Sequence, residues 1–112
     1  MQSKFHNRKT FYKGVVYDSK KEAKRAYELE MLQRAGAICH LERQRRFELQ
    51  QSFNLCGTTI RAITYIADFY YYDNQKKQWV VEDTKGFRTD VYKLKKKLFL
   101  YKYSPEVLFI ES

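Results

Sequence analysis

The order of local patterns along this 112-residue chain predicts an α/β (α+β) fold, a mixed sheet with two helices covering its faces. Three observations carry that prediction. Helical patterns occupy residues 20–35 and the stretch from 89 or 90 to just before Pro105. Runs rich in β-branched and aromatic residues lie between them, as strands require. A short apolar run, Val107 to Ile110, follows the second helix. With no linker, repeat or low-complexity segment in view, residues 1–112 read as one domain.

Taken in order, residues 1–10 are basic and polar and read as a loose arm. Phe11 to Tyr17 reads as a hairpin turning at Gly14. Ser19-Lys20-Lys21-Glu22 has the capping-box pattern, and Gly36 is a natural stop, so the first helix is expected over about residues 20–35. Two strand-like runs follow, 37–41 and 45–50, around the basic stretch Arg43-Gln44-Arg45-Arg46. Residues 51–58 read as a loop. Residues 59–72 and 78–85 read as two strands joined by Asp73-Asn74-Gln75-Lys76-Lys77, with Gly86 as the end. On the second helix, Val91, Leu94, Leu98 and Tyr101 form the expected apolar stripe, with Lys93, Lys96 and Lys97 on other sides.

Composition narrows the function. Ten Tyr and eight Phe against four Gly and one Pro fit a packed protein and not a disordered one. The 22 Lys and Arg against 13 Asp and Glu leave a net charge of +9, which points to a polyanionic partner such as nucleic acid. No apolar run is long enough to span a bilayer, and residues 1–14 lack the core of a secretory signal. Neither helix pairs a wide apolar face with a basic one, so a membrane-surface role is disfavoured. Cys39 and Cys56 have no CxxC spacing, which argues against a zinc site or disulfide framework. An intracellular, cytoplasmic protein is expected.

The chemistry concentrates in residues 60–86. Asp68 stands among Ile66, Ala67, Phe69 and Tyr70, and Glu82, Asp83 and Lys85 follow Trp79-Val80-Val81. Strand residues two apart share a face, so Asp83 pairs with Lys85 and Glu82 points the other way. If the two runs form a hairpin, Asp68, Asp83 and Lys85 meet. Two carboxylates with backbone oxygens suit Mg²⁺, and a lysine beside them can steady developing negative charge or place a water. The alternative for Asp83 and Lys85 is a cross-strand ion pair of little energetic weight.

Asp68 followed by Asp83-Thr84-Lys85 resembles the split signature of the PD-(D/E)XK nuclease superfamily, although Ala67 replaces the proline. The segments SKKEAKRAYELEMLQRAG, LERQRRFEL, YIADFYYY, WVVEDTKG and TDVYKLKKKLF are similar to a group of small phage and prophage proteins of that superfamily, related to Holliday-junction resolvases. The resemblance implies a restriction-endonuclease-like fold and a Mg²⁺- or Mn²⁺-dependent DNA endonuclease acting in phage recombination or replication, on branched DNA in one form. It implies Asp68, Asp83 and the Thr84 carbonyl as metal ligands, Lys85 as the assistant to water, and Glu22 as a further catalytic acid. Helix capping stands beside metal binding as the reading of Glu22. Gln44, Arg45, Lys93, Lys96 and Lys97 are the expected nucleic-acid contacts, with ordinary exposed side chains as their alternative. A homodimer follows if the substrate is a four-way junction cut symmetrically. The rival function is a non-catalytic, basic DNA-binding module whose acids are structural.

Overall fold

The computed structural model describes residues 9–17, 19–84 and 88–112. The N-terminal arm up to residue 8, Lys85 and Gly86 therefore lie outside the described residues. Among the described residues, a four-stranded mixed sheet carries one helix on each face, which is the α+β arrangement the sequence predicts.

Strands β1 (Thr10–Tyr12) and β2 (Val15–Tyr17) form the first hairpin, with Gly14 at φ +78° in its turn. Helix α1 (Lys20–Arg34) starts at Ser19, whose Oγ accepts the Glu22 N–H. It buries Glu22, Ala23, Ala26 and Leu29, a stripe at helical spacing. Gln33, next on that stripe, accepts the Leu41 N–H through its Oε1 and so fixes the strand that follows.

That strand, β3 (Ile38–Gln50), is continuous, where the sequence suggests two shorter ones. Residues 42–46 are charged or polar and break an apolar pattern, yet Glu42, Arg43, Arg45 and Arg46 all pair with the next long strand in one register. The expected loop at 51–58 also differs: β4 (Phe53–Leu55) and β5 (Thr58–Ile60) form a tight hairpin there. Then come β6 (Ile63–Asp73), β7 (Gln78–Asp83), α2 (Asp90–Tyr103), capped by the Thr89 Oγ accepting the Tyr92 N–H, and β8 (Val107–Glu111). The sheet order is β3-β6-β7-β8, antiparallel except for the β7–β8 pair that α2 bridges. Among the described residues, no helix is long and apolar enough to cross a membrane.

Each helix seals its own core. Ala23, Ala26 and Leu29 of α1 pack with Tyr17, Ile38, Phe69, Tyr71 and Val80. Tyr92 and Phe99 of α2 pack with Phe47, Tyr65, Ala67 and Val81. The apolar stripe expected on α2 is corrected here. Val91, Leu94 and Tyr101 face solvent, with Tyr101 91% exposed, and the buried residues are Tyr92 and Phe99. The sheet below is aromatic, and a buried ring removes more surface from water than Val or Leu. Phe99 accordingly sits with ring centroids 5.0 Å from Phe47, 5.4 Å from Tyr65 and 4.8 Å from Tyr103. Phe99→Ala is expected to cost about 3–5 kcal/mol in denaturant unfolding. Leu94→Ala, on the stripe the sequence favours, should stay within about 0.5 kcal/mol.

Candidate active site

Strand alternation breaks at Asp68. Tyr65, Ala67 and Tyr70 reach the α2 core, whereas Phe69 and Tyr71 reach the α1 core. Residues 67 and 69 would share a face in a regular strand. The partner strand breaks at the same level. Arg45 stacks over Phe47 and Tyr70 on the α2 side, and Arg43 stacks over Tyr17 on the α1 side, 4.3 Å from its ring centroid. Between them Gln44 has φ +52°, a left-handed conformation that side chains rarely adopt. The register is unchanged across the break, with Arg43 opposite Phe69 and Arg45 opposite Ala67, so Gln44 falls opposite Asp68. Such kinks re-aim side chains and concentrate beside functional sites.

At this level β6 and β7 exchange ladder bonds for carboxylate bonds. Their last ladder pair is Phe69 with Glu82. Beyond it, the Asp68 N–H donates to Asp83 Oδ1 at 3.2 Å, while Asp68 Oδ2 accepts the Thr84 N–H at 2.9 Å and the Thr84 hydroxyl at 3.0 Å. Both acids are buried, Asp83 completely. Each carboxylate thus takes an amide from the other strand, which locks the two oxygen-rich side chains into one buried spot.

Glu22 comes to the neighbouring level of β3. Its N–H serves the helix cap, and its carboxylate lies 3.4 Å from the donating Gln44 Nε2 and 3.5 Å from Arg43. Capping and side-chain reach are therefore not exclusive in Glu22: the backbone does the first and the carboxylate the second. Its side chain is 4% exposed, so this pairing offsets a large desolvation cost.

The neighbour, Glu82, points to the opposite face, as strand periodicity requires. There it is fully buried, bonded by Arg25 of α1 through Nε and Nη2 and by the Tyr71 hydroxyl at 2.9 Å. The Glu82 carboxylate raises the Arg25 guanidinium above its ordinary value, and burial followed by the Glu82 charge raises the Tyr71 phenol. Glu82 is thereby spoken for.

Asp83 faces α2. Across the parallel register it stands beside Glu111 of β8, and its main-chain oxygen accepts the Ser112 N–H. Glu111 accepts from Tyr92 at 2.6 Å, Lys96 at 2.9 Å and Arg88 at 3.0 Å. Burial raises the Tyr92 phenol most, followed by the Glu111 hydrogen bond and the Asp83 charge. Nothing near residue 111 marks this acid in the sequence; only the β7–β8 register brings it to Asp83.

Of the expected nucleic-acid contacts, Gln44, Arg45, Lys93 and Lys97 are exposed, whereas Lys96 is half-buried and committed to Glu111. Lys85 lies outside the described residues. Among the described residues, no group of three or more acid, histidine or cysteine side chains is arranged to hold a metal ion. What the fold brings together is the Asp68–Asp83 pair with Thr84, and one strand over, Glu22 with Gln44 and Arg43.

Two measurements follow. Arg25→Met strands the buried Glu82 charge and is expected to destabilise the fold by about 3 kcal/mol or more, with much of that recovered in Arg25→Met/Glu82→Gln. Burial pushes the Glu111 carboxyl up, but the hydrogen bonds from Arg88, Tyr92 and Lys96 outweigh it and hold it down at about 2, below its ordinary 4.5. A depressed folded-state value contributes stability above pH 4.5 that is lost as pH falls through about 2. The stability gap between wild type and Glu111→Gln in thermal unfolding should therefore be widest above pH 5 and shrink towards pH 2, each value being approximate.

Comparison with known proteins gives a match to a family model. Neither the curated proteins nor the solved structures gives a match to the chain. The family model, described as a protein of unknown function (DUF1064), matches residues 2–110. That span takes in both helices and the strands of the described residues, β8 up to Ile110, together with Glu22, Gln44, Asp68, Asp83, Lys85 and the lysines of α2. The chain therefore belongs to the DUF1064 family.

Proposed function

We propose that this protein is a metal-dependent DNA endonuclease of the PD-(D/E)XK type, serving phage or prophage DNA recombination or replication. The observation that carries the reading is the reciprocal bonding of Asp68 with Asp83 and Thr84, which holds two buried carboxylates together where β6 and β7 part. The element order agrees with a restriction-endonuclease-like core, with a mixed sheet between two helices and the acids on adjacent strands, Asp68 midway along β6 and Asp83 at the end of β7. The net charge of +9 supplies the attraction for a phosphate backbone.

The donor set suits a hard divalent cation, which takes oxygen ligands and retains waters. Asp68 and Asp83 would hold Mg²⁺ or Mn²⁺ with the Thr84 carbonyl. When bound, such an ion supplies Lewis acidity to a phosphate oxygen and lowers the pKa of a bound water. The chain's own residues do the rest. Thr84 fixes the Asp68 carboxylate through two donors, and the Asp68 amide fixes that of Asp83. Gln44 and Arg43 hold the Glu22 carboxylate one strand over, on the α1 side, as an accessory acid. Lys85, two positions after Asp83, places the attacking water or steadies charge on the phosphate. Arg45, Lys93 and Lys97 contact the backbone, and Glu82, sealed by Arg25, stays out of the chemistry.

The test is incubation of the purified protein with labelled duplex, flap and four-way-junction DNA and Mg²⁺ or Mn²⁺. Cleavage is expected, abolished by chelation, and lowered roughly a hundredfold or more by Asp83→Asn or Lys85→Ala. Cleavage that survives both substitutions unchanged would sink the assignment. The second reading, a non-catalytic DNA-binding module, is favoured by the lack of a three-acid group among the described residues. It predicts salt-sensitive DNA binding with no Mn²⁺ uptake in calorimetry and no product on any substrate.

A further inference from the structure

The β4–β5 hairpin takes no part in the site or in either core. Its strands pair Phe53 with Ile60, Asn54 with Thr59 and Leu55 with Thr58. Directly opposed residues share a face, so Phe53, Leu55, Thr58 and Ile60 lie on one side and Asn54 and Thr59 on the other. The polar side is self-satisfied, with the Thr59 hydroxyl donating to Asn54 Oδ1 at 2.9 Å. The apolar side is open: Phe53 is 46% exposed and Leu55 58%. Cys56 and Gly57, at φ +50° and +81°, close the ribbon as a two-residue turn whose twist matches the strands. A bare two-stranded ribbon is marginal in water, and one that holds an apolar face outward calls for a partner on that face.

Charge identifies the partner. From Leu49 to Ala67 the sequence contains no Asp or Glu, and the exposed Arg61 directly follows the ribbon; before it, β3 presents the exposed Arg45 and Arg46 together with Glu48. A second copy of the chain would add arginines with no carboxylate on the ribbon to offset them. A polyanion with apolar surface between its charges fits both features, and stacked bases between phosphates are such a surface. A two-stranded ribbon fits a DNA groove, and Phe, Leu and Ile are the side chains proteins use to part base steps. The ribbon leaves the sheet at Gln50 and Ile63, and Asp68 lies five residues into β6, roughly 17 Å along the strand.

We propose that the β4–β5 ribbon is a DNA wedge. Phe53 and Leu55 press into a base step, Arg46 and Arg61 hold neighbouring phosphates, and the wedge bends the strand towards the acids, which lie roughly 17 Å along β6 from the base of the ribbon. The nuclease reading supplies only the reason for bending; the wedge itself rests on the ribbon's exposed face and charge.

The test uses the full chain in chelator, so that cleavage plays no part, with duplex and flap DNA carrying 2-aminopurine at successive steps. Wild-type protein should bind with a rise in 2-aminopurine emission at one step. The double variant Phe53→Ala/Leu55→Ala should bind roughly tenfold or more weakly and lose that rise, whereas Phe53→Trp should keep both. Both variants alter only exposed positions, and unchanged thermal unfolding checks their fold. The wedge is overturned if the double variant binds within twofold of wild type, or if wild type does not bind DNA. It is also overturned if sedimentation finds that the variant loses affinity by splitting a dimer. Ribbon-dependent binding without cleavage under Mg²⁺ or Mn²⁺ upholds the wedge and sinks the nuclease reading; cleavage and binding indifferent to the ribbon do the reverse.

Discussion

Glu82 and Asp83 are consecutive and both are fully buried, and the rest of the structure is arranged around keeping them so. Two ionised neighbours cannot share one environment without heavy cost. A strand resolves this by sending them to opposite faces, and each face then has to supply partners. On one side α1 contributes Arg25 and β6 the Tyr71 hydroxyl. On the other, the Asp68 amide reaches Asp83, and Tyr92 and Glu111 stand close by. One acid is thereby a structural anchor between helix and sheet, and the other is the centre of the candidate site.

The second constraint is the matched kink of β3 and β6. Without it, Ala67 and Phe69 would compete for one face, and the α1 and α2 cores could not each claim a section of the same strand. Gln44 takes the left-handed backbone conformation, at a cost on the order of 1 kcal/mol, and its side chain lies against Glu22. The kink therefore links three things: the division of the core, the level of Asp68, and the placement of the helix acid.

Much of this is legible in the sequence, for identifiable reasons. Helix ends were readable from Ser19 and Gly36, and the opposed faces of Glu82 and Asp83 from period two alone. The nearness of Asp68 to Asp83 follows once residues 73–77 are read as a turn. What was not legible depends on contacts between distant segments. Residues 42–46 look like an interruption because their apolar partners sit on other strands. The hairpin at 53–60 lacks the usual turn dipeptides, since Cys56 takes the position an Asn or Asp would hold. The buried stripe of α2 is decided by the aromatic sheet beneath it, so Val91 and Leu94 lose to Tyr92 and Phe99. Glu111 carries no local signal at all.

The pairings that hold the acids also differ in how much chain they must close. Asp68 and Asp83 are 15 residues apart within one hairpin, whereas Arg25 and Glu82 are 57 apart. Loop-closure entropy grows with the intervening length, and β-hairpins form in about 1–10 μs. The candidate site's two acids can therefore meet as the β6–β7 hairpin closes, before α1 has docked. Until it docks, Glu82 remains hydrated on the still open face of that hairpin. Burial of Glu82 is thus coupled to the arrival of Arg25, and the step that completes the α1 core is the same step that withdraws the spare acid from water.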